Sequence, residues 1–567
     1  MATQVKRLDT EVEIINEPSR DAKRTLYYLV ALLALAGITF FLGLGRLPFI
    51  GPDEPRYAEV AREMFATGDY ISPRLAGCLW FEKPALTYWL AAAAYHLFGV
   101  NEFAARLPAA LLALATSLLI YYSISRTVSS RLGFVAAVVL VTSGIFLGLA
   151  RAISTDMPLA ASMSFALLAG YLFTQSSGRA RLKFWVLCWA SMGLAMLAKG
   201  LVGIMLVLAI LGIYILITGQ LKIIRWHYLL SGLAAFLIVA AVWYLPVTLV
   251  NGWEFINEFF VEHHFHRYLT NRYSHPQPFY FYLLISLAGV IPWTFFLIPA
   301  VARIRRLRPR NDNRDALLVF AWIWLAVPVL FFSFSVSKLP GYILPVFPAL
   351  AIIIGAEVEK FLSTARTLLH KIAAWLTALL LVVLGAAFIV FAEREGIIPA
   401  GWQITLLWLP AILASVALVS LMTRRRKAFV GATASVIAGV IIVIVALGFP
   451  VLGERLSLKR LSLEAAAALR PDEKSTFFVM KEFAPLFYTE GRVVCGVGGN
   501  HVLNAMSEAQ LVEALEGEKS LVVFTRTEWL RNLEKSRVLA VEHIGWQGSA
   551  VAVRITLKES AISSNSR

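Results

Sequence analysis

The sequence predicts a polytopic α-helical membrane protein that ends in a small α/β domain. Three observations carry that prediction. Of 567 residues, 59% are hydrophobic and 16% are charged, where a soluble domain carries about 25% charged residues. Apolar runs of bilayer-spanning length, roughly 20 residues, recur from residue 25 to residue 449. Beyond residue 453 the apolar runs shorten to strand length. A soluble enzyme, a disordered chain and a secreted disulfide scaffold are excluded on the same grounds.

The runs fall at 25–45, 104–123, 133–150, 159–175, 184–198, 201–218, 229–250, 278–301, 316–334, 341–356, 371–391, 403–422 and 429–449. They make about thirteen transmembrane helices. Residues 1–24 are polar and no small-residue cleavage site follows the first run, so that run reads as an uncleaved signal anchor. A shorter run at 85–98 holds Tyr88, Trp89, Tyr95 and His96. It suits an interfacial or re-entrant helix better than a span.

Charge supplies the orientation. The net charge of +16 invites a nucleic-acid reading, but the basic residues lie between apolar runs, as the positive-inside rule and anionic headgroups require. No nucleic-acid partner is expected; membrane lipids are. With the N-terminus inside, the inner segments hold more than twice as many Lys and Arg as the short outer ones, the 424–427 RRRK run included. The reading is an N-terminal cytoplasmic segment (1–24), a transmembrane domain (25–453) with outer loops at 46–103 and 251–277, and an outer α/β domain (454–567). Within that last domain, 476–480, 520–524 and 550–555 read as strands and 507–516 as a helix. The three cysteines, Cys78, Cys188 and Cys495, show no CxxC spacing. A metal or redox cluster is not expected of them, Cys188 reads as packing, and a Cys78–Cys495 disulfide is open rather than required.

Ionisable residues near a bilayer are costly and report function. Here they collect on the outer side. After Pro52, residues 54–66 have helical spacing, with Asp53 as a plausible N-cap and Glu54 beside it. FEKP places Glu82 and Lys83 before the 85–98 helix. Asp156 sits in a very short outer turn, with Arg151 its nearest cation in sequence. Lys199 interrupts an apolar stretch. The 251–277 loop carries Glu262, His263, His264, His266 and His275, which could ligate a divalent ion but match no closed zinc spacing. SVSKLPGYILP sets Lys338 and Tyr342 on another outer turn. Each residue alone has a bland reading as a cap, a surface pair or a snorkelling lysine. Five outer turns together suit an anionic, lipid-anchored substrate, with cations for phosphate and carboxylates for acid–base work.

In order along the chain, PDEPRYAEVAREM, GDYISP, FEKP, STDMP, AKG, FFVEH and SKLPGYILP resemble the aminoarabinose transferase family. These are lipid-donor glycosyltransferases of the C-type fold, related to protein O-mannosyltransferases and oligosaccharyltransferases. The resemblance covers residues 25–360 well and the rest more loosely. It implies a sugar donor on undecaprenyl phosphate and, as acceptor, lipid A or a related envelope glycolipid, at the periplasmic face of a bacterial inner membrane. It implies Asp53 as the essential carboxylate of the first outer loop and Asp156 as the carboxylate of the second outer turn; Glu54, beside Asp53 at the membrane surface, is a further candidate carboxylate. Glu82 and His263 would be the metal pair for a divalent ion (Zn, Mg or Mn), with His264 as the alternative ligand. Arg56, Lys83, Lys199 and Lys338, with Tyr342 beside them, would bind substrate phosphate. Protein O-glycosylation is the alternative within the class, and a transporter or flippase the alternative outside it. Against the transporter stand the outer placement of the polar residues and the lack of an internal repeat.

Overall fold

The computed structural model describes residues 20–259, 276–310, 312–364, 366–397, 403–480, 482–494, 503–515 and 518–558. Among them, ten helices are long and apolar enough to cross a membrane. Two bent pairs, Ser130–Val141 with Gly144–Ala150 and Phe281–Gly289 with Thr294–Arg306, pass the same test together. Leu409–Met422 is a shorter apolar helix. The described residues thus hold ten helices of membrane-crossing length and composition, or up to twelve if each bent pair is one span, where the apolar runs predict about thirteen.

Helix starts follow the sequence locally. Asn101 caps Glu102–Thr127 by accepting from the Ala104 amide, and Ser129 caps Ser130–Val141 through the Leu132 amide. Prolines inside three spans, Pro108, Pro246 and Pro328, are tolerated where neighbouring helices support the backbone. One continuous core runs through the bundle. Small residues let helices meet closely: a Cβ on Gly355 would fall against the backbone of Ala136.

The first loop, residues 42–101, folds on one end of the bundle, called here the loop side. Its helix Asp53–Thr67 ends at Gly68, whose φ of 73° only glycine adopts freely. A two-residue hairpin follows, β1 (Arg74–Leu75) against β2 (Cys78–Leu79). The predicted interfacial segment is the helix Leu86–Phe98, packed on Asp53–Thr67 with Tyr95 Oη donating to the Ala58 carbonyl at 3.2 Å. Trp243 and Trp89 donate to the Ile71 and Tyr70 carbonyls, both at 2.9 Å, and so pin the turn between the two helices to the bundle.

The C-terminal domain is a five-stranded mixed sheet of β3 (Lys474–Phe478), β4 (Asn504–Ala505), β5 (Leu521–Arg526), β6 (Leu539–Gln547) and β7 (Ala550–Leu557), in the order β4-β3-β5-β7-β6. β3 is parallel to β4 and β5; β5, β7 and β6 are antiparallel. The three predicted strands and the helix at Glu508–Leu515 are present, while β6 and β4 went unread. The domain sits on the first loop. Tyr488 Oη accepts from the Phe49 amide and donates to Glu102, which also pairs with Lys459 at 2.6 Å. Arg62 donates to the Glu490 carbonyl at 2.6 Å. First loop and C-terminal domain therefore share one side of the bundle. Cys78 is disulfide-bonded and Cys188 is free and buried; Cys495 lies outside the described residues.

Candidate active site

Two carboxylate–cation groups stand on the loop side. The first is built on the Asp53–Thr67 helix. The N-cap position belongs to Pro52, which has no capping side chain, and Asp53 is the first helical residue. The sequence expectation that Asp53 is the N-cap is therefore corrected. Its carboxylate instead pairs with Arg56, one turn on, and is 55% exposed. Arg56 Nε donates to the Pro52 carbonyl at 2.9 Å, and its guanidinium lies over the rings of Trp80 (5.8 Å) and Phe483 (5.3 Å). Burial works against the charged guanidinium, but the Glu82 and Asp53 carboxylates outweigh it and raise the Arg56 pKa above its ordinary value. Glu82 itself pairs with Lys83 at 2.7 Å. Asp53, Arg56, Glu82 and Lys83 thus form one electrostatic unit. Beneath it, Tyr88 Oη and Trp80 Nε1 are buried without a hydrogen-bond partner among the described residues. Such groups are costly unless a ligand or water meets them.

The second group gathers three turns. Asp156 opens the helix Asp156–Gln175, with Thr155 in the cap position. Its partner is Lys199, not Arg151. Arg151 donates to the Thr39 and Leu42 carbonyls, closing the end of the first span. Lys199 Nζ also lies 4.3 Å above the Tyr342 ring. Gly341 makes this possible, since a Cβ there would overlap the Asp156 carboxylate. Lys338 Nζ is buried and donates to the Ser335 and Gln277 carbonyls at 2.6 and 3.0 Å. An ammonium has three donors, so one is left beyond those two bonds.

Glu54 joins the two groups. Its carboxylate takes a fork from Arg106 (2.9 and 2.7 Å) and accepts the Ile153 amide at 3.1 Å. Arg106 also donates to the carbonyls of Leu44, Leu47 and Pro48. Glu54 follows Asp53 directly and reaches the turn that leads to Asp156. With its oxygens filled this way, we read it as a positioning residue rather than as a reacting carboxylate.

The metal pair is only half described. Glu82 is present; His263 and its alternative His264, like His266 and His275, lie outside the described residues. Phe81 packs edge-on against Phe255 at 5.4 Å, so the described end of the long helix Trp226–Ile256 stands beside Glu82. No group of three His, Cys, Asp or Glu able to hold a metal occurs among the described residues. The donors in view do not by themselves make a metal site.

Sequence reading missed Arg106, Trp80, Phe483 and Gly341. For Arg106 a signal existed, a lone guanidinium at the start of an apolar run. Trp80 and Phe483 carried none, because one aromatic among many becomes special only when the fold stacks it on a cation.

As chemistry, both groups hold an exposed or half-buried carboxylate on a cation that could turn toward an anion. A phosphate arriving there would find guanidinium and ammonium donors and would loosen the carboxylates for proton transfer.

Known proteins resemble this chain in sequence and in fold. Residues 82–245 match the family model described as dolichyl-phosphate-mannose-protein mannosyltransferase. The undecaprenyl phosphate-alpha-4-amino-4-deoxy-L-arabinose arabinosyl transferase of Aeromonas salmonicida is 30% identical over 343 residues, 60% of this chain and 61% of that protein. Its counterpart in Pseudomonas aeruginosa is 31% identical over 329 residues, 57% and 58% of the two chains. In sequence, the chain thus spans about three fifths of the length of these relatives. The crystal structure of ArnT from Cupriavidus metallidurans bound to undecaprenyl phosphate superposes with a TM-score of 0.74 at 26% identity, covering 93% of this chain and 98% of that one. The oligosaccharyltransferase AglB of Archaeoglobus fulgidus shares the fold at a TM-score of 0.50 and 12% identity, over 89% of this chain and 70% of that one. The chain is thus similar in sequence, over much of its membrane domain, to aminoarabinose transferases, and over most of its length it shares the fold of ArnT, a C-type glycosyltransferase fold.

Proposed function

We propose that the protein is a glycosyltransferase that moves a sugar, an aminoarabinose-type pentose or similar, from an undecaprenyl-phosphate carrier to lipid A or a related envelope glycolipid. The observation that carries the reading is the pair of carboxylate–cation groups, Asp53–Arg56 and Asp156–Lys199, joined by Glu54 on one side of a membrane bundle. Likeness to a structure that holds undecaprenyl phosphate supports the donor. In this reading the loop side faces the periplasm, the N-terminus is cytoplasmic, and the protein sits in a bacterial inner membrane. The basic bias of the opposite side supports that orientation.

The acceptor oxygen attacks C1 of the sugar from the face opposite the carrier. The C1–O bond breaks, undecaprenyl phosphate leaves with the electron pair, and the anomeric centre inverts. Arg56, Lys83, Lys199 and Lys338, with Tyr342 beside Lys199, stabilise the charge that grows on the leaving phosphate. If the acceptor is a hydroxyl, its proton passes to Asp53. If it is a lipid A phosphate, it arrives anionic and needs orientation only. A divalent ion held by Glu82 and His263 is part of the proposal on resemblance alone. Dialysis against a chelator followed by metal add-back tests it.

The reaction is tested with purified protein in proteoliposomes that contain undecaprenyl-phosphate-aminoarabinose and lipid A. Sugar appearing on lipid A supports the reading. Transfer to a Ser/Thr peptide and not to lipid A would favour protein O-glycosylation, toward which the match at 82–245 points. Transfer to neither would sink both.

A further inference from the structure

The C-terminal domain has no part in the chemistry so far, yet it touches the helix that carries Asp53 at three points. At one end Phe483, just before the helix Ala484–Tyr488, lies 5.3 Å from the Arg56 guanidinium, which Trp80 covers from the first loop at 5.8 Å. At the other end Gly491 is seated against Glu59 and Arg62. It has a φ of 72°, and a Cβ there would run into the Glu59 carboxylate and the Arg62 guanidinium. Arg62 also donates to the Glu490 carbonyl. The segment from Phe483 to Gly491 therefore lies along the Asp53–Thr67 helix from its first turn to its middle. Neither the sequence motifs nor the resemblance assigns it a role.

The geometry points to Phe483 as a positioning residue of the site. Resting on the glycosyltransferase reading above, it fixes the Arg56 guanidinium from the C-terminal domain, and through Arg56 it sets the Asp53 carboxylate. A guanidinium held over two aromatic faces within about 6 Å keeps its charge and loses freedom to swing. The C-terminal domain thus completes the first of the two groups instead of being carried beside it. Ground-state donor binding rests on Lys199, Lys338 and Tyr342 in the second group, while Arg56 acts on the leaving phosphate as its charge grows in the transition state.

The test uses full-length protein in the same proteoliposomes, with undecaprenyl-phosphate-aminoarabinose as donor. Phe483→Leu keeps apolar volume and removes the π face; Phe483→Trp keeps the face. On a cation–π contribution of about 0.5–2 kcal/mol, Phe483→Leu should lower kcat roughly twofold to thirtyfold, with the donor KM unchanged, and Phe483→Trp should recover most of it. Gly491→Ala, which pushes the same segment off the same helix at Glu59 and Arg62, should lower kcat in the same way. Wild-type kcat in Phe483→Leu overturns the proposal. So does a loss that Phe483→Trp fails to recover, or a loss seen only in the donor KM. If Phe483→Leu fails to fold, the Gly491→Ala rate decides, and a wild-type rate there counts against the proposal. Failure of the wild-type protein to transfer any sugar would instead sink the parent reading.

Discussion

The two ends of the membrane bundle both carry buried charge, and they use it differently. Away from the first loop, Glu357 and His370 are 2% and 1% exposed and bond at 2.9 Å. Arg303 reaches both Glu357 (3.6 Å) and Asp315 (2.9 Å), and Asp315 also accepts the Arg308 amide. His370 Nδ1 closes a capping box with Thr367. Each group there meets protein groups on several sides. On the loop side Asp53 is more than half exposed and answers to Arg56, and orphaned donors lie beneath the pair. The same contrast separates neighbours in sequence, the filled Glu54 and the open Asp53. A closed network fastens helices; an open one is ready for a ligand.

The comparison can be broken from either end. Asp53→Asn should give the largest loss, about 10²–10⁴-fold in kcat for a hydroxyl acceptor, with expression and thermal unfolding unchanged. Activity within a few-fold of wild type would return Asp53 to the role of a surface pair. Lys199→Met should follow at about 10²-fold, the order seen when one charge-stabilising donor is lost. A wild-type kcat in that variant would detach the second group from the chemistry.

At the closed end the expected loss is in stability. His370→Ala leaves Glu357 buried beside a lost partner and should destabilise the bundle by about 3 kcal/mol. Turnover per folded molecule should stay at wild type, read from detergent-solubilised protein by thermal unfolding and assay. Reduced turnover at full stability would erase the contrast between the ends. Glu54→Gln should fall between the two behaviours, lowering both the unfolding temperature and kcat, because it ties the two loop-side groups together.

The smallest effect concerns pH. Burial pushes Glu59 up to about 8 against the pull of Arg62. Its folded-state pKa thus lies above the ordinary 4.5, and the folded state holds the proton more tightly than the unfolded one. That contribution is fully present below pH 4.5 and is lost as pH rises through 8. The unfolding temperature should drift down across that window in the wild type and less in Glu59→Gln. Identical profiles would show that the grip of the C-terminal domain does not feel this group.

Much of the fold was legible because spans announce themselves by length and composition. The 403–422 run was read as a span, but its helix Leu409–Met422 has only 14 residues and falls short of membrane-crossing length. The first-loop helix was read to within one residue at each end, 54–66 against Asp53–Thr67. β6 escaped because its exposed residues, Glu542, His543 and Trp546, break the apolar run that marked the other strands. Site residues were legible as types and not as pairs. Nearness in sequence suggested Arg151 for Asp156, but the bundle brings in Lys199, 43 residues away. Glu54 finds Arg106 at a separation of 52 residues, and Tyr488 meets Glu102 at 386. Those partners are set by which helix ends the topology gathers on one side, which local pattern does not encode.

The central claim is that the open groups on the loop side transfer sugar to an envelope glycolipid. Mass spectrometry of lipid A tests it most directly, on cells lacking the protein, cells restored with the wild type and cells restored with Asp53→Asn at equal expression. The account predicts one added sugar mass on lipid A with the wild type alone. Unmodified lipid A in all three strains, or the same added mass with Asp53→Asn as with the wild type, would contradict it.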